Sequence, residues 1–276
     1  MIFDLHSHTQ FSDGTLTPAE LLACASEMQV DTLAITDHDN VDGLKDLAAL
    51  GAGEPCAVNL IAGIELSTHW KSVGIHVLGL NIDPDSAAIE EAARVQMQAR
   101  WKRAEQISSN LSKQGLDGAL EGAQKIAGGR FIGRPHLAQW LVEQGKVKDM
   151  QAAFKQYLGS GKAGDVKQLW AEMSQVVAWI RDAGGIAVMA HPLKYKLTRT
   201  RLKRLLDDFI AAGGEGVEVV SGQQQHHETV AMAELCHDKG LLGSCGSDFH
   251  SPGRPWSELG RFAGLPSSVT PVWERF

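Results

Sequence analysis

Two histidines separated by one residue, His6 and His8, follow the apolar run Ile2 to Leu5, and Asp248 with His250 repeats that spacing after the run Leu241 to Ser244. In an extended chain alternate side chains share a face, so each pair can aim two donors at the same ion. Asp13 lies in the loop beyond the first pair, and His38 sits in Asp37-His38-Asp39, directly after Thr32 to Thr36. Glu65 closes a third run, Asn59 to Ile64; His76 lies within a fourth, Ile75 to Leu80; and His191 follows a fifth, Ile186 to Ala190. The sixth run, Val217 to Val220, ends without an obvious ligand. Imidazole nitrogens and carboxylate oxygens are the donors of choice for borderline and hard divalent cations. Read singly, each of these residues is as readily a hydrogen-bonded or surface side chain. Their recurrence beside strand after strand points instead to a polynuclear metal site.

Seven short apolar runs of strand length alternate, for the most part, with stretches of helical periodicity, which predicts an α/β protein with a largely parallel sheet. Pro18 to Met28 reads as a helix, with Thr17 as its cap and Glu20 in its first turn. Leu66 to Gly74 is too short for a helical crossover, so the third and fourth strands should break the alternation and make the barrel irregular there. From Asp83 to Asp165 the pattern turns to consecutive helices, including Ala87 to Leu111 and Pro135 to Gln144. The expected organisation is a barrel domain over 1–82 and 166–276 with a helical insertion over 83–165. The barrel should resume with a helix over Gln168 to Asp182, closed at Gly184-Gly185, and continue through helices near Thr200 to Ala211 and His226 to Lys239. The tail beyond Gly253, with Pro255, Pro266 and Pro271, is expected to wrap the surface. Barrel enzymes assemble their active sites at the C-terminal ends of the strands, where these donors fall.

Composition narrows the classes. A net charge of −7 excludes the broad basic face needed to grip long nucleic acid, but leaves small anionic substrates open. No apolar stretch approaches the length of a membrane span. The start, MIFDLHSH, lacks the basic and apolar regions of a secretory signal, so a cytoplasmic protein is expected. Cys24, Cys56, Cys236 and Cys245 form no CxxC pair and read as reduced, mostly buried thiols.

In the segments DLHSHTQFSDG, ITDHD, GIELS, GIHVLG, AHP and GSDFH the sequence resembles the PHP (polymerase and histidinol phosphatase) superfamily of metal-dependent phosphoesterases. The resemblance covers Met1 to about Leu80 and about Ile186 to His250. It implies a distorted (β/α)7 barrel, with the small helical insert, holding two to three divalent metal ions: manganese foremost, with iron or zinc as alternatives. Carried over residue by residue, it implies that His6, His8, Glu65 and Asp248 hold one metal, and that Asp13, His38 and His250 hold a second. Glu65, shared, would complete a third with His76 and His191. Hydroxide generated from water at the metals is then the expected nucleophile, and no serine or cysteine with an adjoining base competes for that role. Asp37 and Asp39 either orient imidazoles from behind or cap strand ends.

The insert segment FIGRPHLA resembles one nucleotide-directed branch of the superfamily, that of nucleoside 3′,5′-bisphosphate phosphatases and 5′-3′ exoribonucleases. The implied substrate is therefore a phosphate monoester on a small nucleotide or a short RNA 5′ end. Arg134 and His136 beside Pro135, and Arg199 beyond His191, are the expected substrate contacts, with Lys194 a further candidate cation. The later members of Arg199, Arg201, Lys203 and Arg204 read as a solvated helix face. GSGKAG at 159–164 lacks the spacing and the preceding strand of a nucleotide-triphosphate loop. The alternatives are a histidinol phosphate phosphatase and a noncatalytic metal-binding PHP module.

Overall fold

The computed structural model describes residues 1–50, 58–128, 131–166 and 169–276; Cys56 and the expected helix start at Gln168 lie outside them. The seven runs form one sheet whose spatial order follows the chain: β1 (Phe3–Asp4), β2 (Thr32–Ile35), β3 (Asn59–Trp70), β4 (Val73–Leu80), β5 (Ile186–Met189), β6 (Gly216–Ser221) and β7 (Leu242–Gly246). Beyond the paired strands, Leu5 N donates to the carbonyl of Cys245 at 3.0 Å and His8 N to that of Phe249 at 2.9 Å, drawing β7 against β1 into a nearly closed barrel. The departure from regular alternation falls where the short Leu66 to Gly74 connection requires it. β3 and β4 make an antiparallel hairpin and β4 also runs antiparallel to β5, while the remaining neighbours are parallel. β3 runs on to Trp70, so Glu65 stands in mid-strand rather than closing it.

α1 (Pro18–Glu27) and α2 (Asp42–Ala49) follow the first two strands, and α7 (Met173–Asp182), α8 (Arg199–Ala211) and α9 (His226–Asp238) alternate with the last three. The cap of α1 is the reciprocal pair expected, with Glu20 N donating to Thr17 Oγ1 and Thr17 N to Glu20 Oε2 at 2.8 Å. Leu5, Ala34, Leu78, Leu80, Val188 and Ala190 fill the barrel interior with no exposure, each large aliphatic contributing about 1.5–3 kcal/mol by burial. The C-terminal tail does more than wrap the surface. Val272 is fully buried in this cluster, and Trp273 stacks on Phe3 with ring centroids 4.0 Å apart. The tail thus closes the end of the barrel where β1 starts, opposite the strand ends that carry the histidines.

The chain divides into two compact units, Met1–Ala93 with Ala171–Phe276, and Arg94–Trp170. The second contains most of α3 (Ala87–Ser112), then α4 (Ala119–Ile126), α5 (Arg134–Glu143), α6 (Met150–Ala153) and a π-helical turn at Phe154–Leu158. It has its own core, around Ile107, Leu111, Leu137, Leu141 and Leu158. Among the described residues no helix is long and apolar enough to cross a membrane. The thiols of Cys24, Cys236 and Cys245 are free.

Candidate metal centre

His6 and His8 project from the extended segment after β1, and both are fully buried. The loop behind them is pinned by Asp37, whose carboxylate accepts from Thr9 N at 2.7 Å, Thr9 Oγ1 at 2.6 Å and Ser12 Oγ at 2.6 Å. Asp39, with φ 55°, accepts from Ser67 N at 2.6 Å and ties the β2 end to β3. Both aspartates that flank His38 therefore fasten loops and strands. His191 at φ 27° and Asp248 at φ 55° occupy left-handed backbone that L-residues rarely adopt. Such conformations persist where the surroundings over-determine them, and they cluster at functional sites.

These elements bring all nine sequence-predicted donors together around Glu65. Its Oε1 lies 2.8 Å from His76 Nδ1 and 3.0 Å from His191 Nε2. Its Oε2 lies 2.8 Å from His38 Nδ1, 3.3 Å from His8 Nε2 and 3.4 Å from His6 Nε2. Asp248 Oδ1 faces His6 and His8 at 3.4 and 3.3 Å, and Asp13 Oδ1 faces His250 and His38 at 3.2 and 3.7 Å. Donor atoms close enough to share an ion fall into four sets: His8, Asp13, His38 and His250; His6, His8 and Asp248; His6, Glu65 and His191; His38, Glu65 and His76. Relative to the partition the sequence resemblance implies, His8 also joins the Asp13 set, and His76 and His191 meet opposite neighbours of Glu65.

Burial alone would raise the carboxylate pKa values, but the surrounding imidazoles, joined at Asp248 by Lys194, outweigh it and hold Glu65, Asp13 and Asp248 well below their ordinary range. Burial pushes His8 down to about 3, aided by His250 and His38. It would do the same to His250, yet Asp13 and Asp248 lift that ring to about 9. His6 is likewise carried well above its ordinary value, against burial, by Glu218, Glu65 and Asp248.

A cation is the missing partner such a set calls for. His6 Nε2, His8 Nε2, Asp13 Oδ1, Glu65 Oε2 and His191 Nδ1 are buried with no hydrogen-bond partner among the described residues. Buried polar atoms are seldom left so. Two donors each about 2.1 Å from a shared cation lie roughly 3.0–3.4 Å apart, and the 3.3–3.4 Å separations of His6 and His8 from Glu65 and Asp248 match. Nitrogen and oxygen donors without thiolate suit manganese, iron or zinc.

A model of the PHP domain matches residues 4–185. The chain belongs to the PHP family. The match bears out the resemblance drawn from its motifs. The PHP chain is 44% identical over 274 residues to the 5′-3′ exoribonuclease Rnm of Escherichia coli (strain K12), covering 99% of this chain and 93% of that one. It is 39% identical to the 3′,5′-nucleoside bisphosphate phosphatase of Chromobacterium violaceum, over 98% and 94% of the two chains. A solved Chromobacterium violaceum structure, described as an amidohydrolase with sulfate bound and no metal, superposes with a TM-score of 0.91 at 38% identity, covering 100% of this chain and 95% of that one.

Of the expected substrate contacts, Arg199 belongs to the barrel unit, and Arg134 and His136 belong to the helical unit. Arg199, at the first turn of α8, pairs with Glu234 at 3.7 Å, both side chains being largely exposed. In the helical unit His136 Nδ1 accepts from Gly133 N at 3.1 Å, and Arg134 Nη1 donates to the carbonyl of Leu158 at 3.5 Å. Burial, reinforced by Arg100 and opposed by Asp165, leaves the Arg134 guanidinium with a pKa below its ordinary value. Lys194, in the barrel unit, reaches the cluster and donates to Asp248 Oδ2. Tyr195, the last residue of the 3-10 turn Pro192–Tyr195, donates to the carbonyl of Ala190 at 2.8 Å and accepts from His76 N at 2.9 Å, bracing β4 against β5. Sequence reasoning passed over Glu218 on β6, which is 1% exposed and holds His6 Nδ1 at 2.9 Å. Its signal was a single acid inside an otherwise apolar strand, a placement that burial penalises unless the charge is used.

Proposed function

We propose that this PHP chain is a metal-dependent phosphoesterase that hydrolyses a phosphate monoester of a small nucleotide, a nucleoside 3′,5′-bisphosphate or a short RNA 5′ end. The observation that carries the reading is the nine-residue cluster around Glu65, with its buried, unsatisfied donor atoms. His6, His8, Asp13, His38, Glu65, His76, His191, Asp248 and His250 would hold two to three divalent ions, manganese foremost, in the barrel domain 1–82 and 166–276. When bound, such ions polarise a phosphoryl oxygen, acidify water and orient the leaving group. The chain's own part is to exclude bulk solvent from Glu65, to hold imidazoles of opposite proton affinity a few ångströms apart, and to supply Lys194 as a cation beside Asp248.

Beyond the cluster, Arg134 and His136 of the 83–165 insertion and Arg199 of α8 would read the substrate's remaining anionic groups. The activities named for the Escherichia coli and Chromobacterium violaceum relatives support nucleotide substrates, and do not favour histidinol phosphate. A cytoplasmic location fits such substrates. A full donor set also weighs against a noncatalytic metal-binding module. Phosphate release with manganese should be measured across nucleoside bisphosphates, nucleoside monophosphates, histidinol phosphate and short 5′-phosphorylated RNA, with bound metal quantified in the same sample. Turnover confined to the nucleotide arms is expected; absence of release from all of them would refute the proposal.

A further inference from the structure

Glu218 lies in β6 between Val217 and Val219, both fully buried, and is itself 1% exposed. A carboxylate there costs several kcal/mol of desolvation unless both oxygens are engaged. Both are. Oε1 sits 2.9 Å from His6 Nδ1, and Oε2 accepts the backbone N–H of His191 at 2.5 Å. The same two residues, His6 and His191, share a donor set with Glu65, and their rings stack with centroids 5.6 Å apart.

We infer that Glu218 is a positioning residue of the metal centre, which fixes the tautomer of His6 and clamps the strained backbone of His191 so that both rings address Glu65. The inference rests on the metal-centre reading above. A carboxylate at His6 Nδ1 keeps the proton on that nitrogen and leaves the Nε2 lone pair directed at Glu65 and Asp248, where a cation is wanted. The second oxygen acts on the backbone. His191 stands at φ 27°, a conformation that needs an outside hold, and its N–H is the group that Glu218 captures. One side chain of β6 thus sets the ligands that follow β1 and β5. Neither His8 nor His250 is served in this way: His8 Nδ1 has the Ser12 hydroxyl at 3.4 Å, and His250 Nδ1 the carbonyl of Asp248 at 2.9 Å.

Glutamine would conserve the shape of residue 218 but carries one acceptor and one donor. If its oxygen keeps the His191 N–H, its amide N–H meets His6 Nδ1 and drives the proton to Nε2, which then cannot ligate. Glu218→Gln is therefore expected to weaken manganese binding about 10- to 100-fold for one equivalent per chain, with the other equivalents retained. kcat should fall while KM at saturating manganese changes little. Glu218→Asp, which keeps the charge, should recover part of both losses. The measurements are titration of metal-free protein with manganese, metal content by mass spectrometry, and steady-state kinetics. Long-range 1H–15N correlation on histidine-labelled wild-type protein loaded with zinc reads the tautomer without any variant, and protonation at His6 Nδ1 is expected. Unchanged manganese affinity and stoichiometry in Glu218→Gln, or protonation of His6 at Nε2 in the wild type, would overturn the inference while leaving the metal centre intact. A wild-type chain that binds no metal would overturn both.

Discussion

Glu65 faces five imidazoles within 3.4 Å, so its charge, more than its shape, organises the cluster. Glu65→Gln should test that separation, because the amide occupies nearly the same volume but cannot balance the surrounding cations. The variant is expected to retain its circular dichroism spectrum, to lose at least one metal equivalent, and to lose at least roughly 100-fold in kcat, the upper end of what outer-shell partners alone command. Retention of full metal content and turnover would remove Glu65 from the centre of the site. His6, His8, His38, His191, Asp248 and His250 were legible in sequence because they follow strand ends, where an abrupt change from apolar to polar residues marks them, while Glu65 and His76 stood out as polar residues at the edge of or within apolar runs. Glu218 went unread because it sits inside the sixth run, Val217 to Val220, whose end offers no ligand, and its partner His6 is distant in the chain. Lys194 was visible as a cation near His191, but its choice of Asp248 over solvent depends on the backbone turn at Pro192–Tyr195, which no local pattern specifies.

The elements position these groups through unusually close strand contacts. A Cβ on Gly246, at the end of β7, would lie 2.5 Å from His6 Cβ and 2.7 Å from His6 N, so the approach of β7 to β1 that aims His6 inward requires glycine. Gly246→Ala is expected to destabilise the fold by about 1–3 kcal/mol, as overpacking against backbone does, and to lower metal affinity in parallel. Gly74→Ala in the β3–β4 hairpin, where a Cβ meets nothing within 4 Å, should stay within about 0.5 kcal/mol of wild type. Urea unfolding of both, beside metal titrations, decides it; equal stability of the two variants would mean that strand closure does not constrain the site. Strand number, the helices over Pro18 to Met28, Thr200 to Ala211 and His226 to Lys239, and the anomaly at Leu66 to Gly74 followed from periodicity and connection length, whereas α2 was not singled out and α7, expected over Gln168 to Asp182, begins at Met173. The true extent of β3 did not, because Ser67, Thr68 and His69 interrupt the apolar run that marked its beginning. What orders them is long-range: pairing with β4 residue by residue, from Gly63 against Leu80 to Trp70 against Val73, which extends the strand past Glu65. The packing of Val272 and Trp273 into the barrel's end was equally invisible, since three prolines in the tail signal only that regular structure stops there.

At the scale of the whole molecule, a net charge of −7 and a buried nest of carboxylates make cation binding a source of stability as well as chemistry. Without metal the nest is balanced in part by protons. His250, raised from 6.5 to about 9, is a folded-state cation. Its sign is fixed by linkage: a histidine with a raised folded pKa contributes stability that is fully present below about pH 6.5 and is lost as pH climbs through 9. Metal and proton compete for the same nitrogen, so bound metal restores what deprotonation removes. The melting temperature of the metal-loaded chain should therefore exceed that of the chelated chain by an amount that grows between pH 6.5 and 9. Each site filled at a hundredfold excess over its Kd adds about 2.7 kcal/mol, or roughly 5–10 °C for a unit of this size. Calorimetry with and without EDTA across that range gives the difference directly. His250→Asn should flatten the dependence, since the variant has no proton there to exchange. A metal-induced rise that is constant with pH, or larger at the acid end, would show that protons and metal do not share the cluster, and that the raised affinity of His250 for a proton belongs to some other balance in the fold.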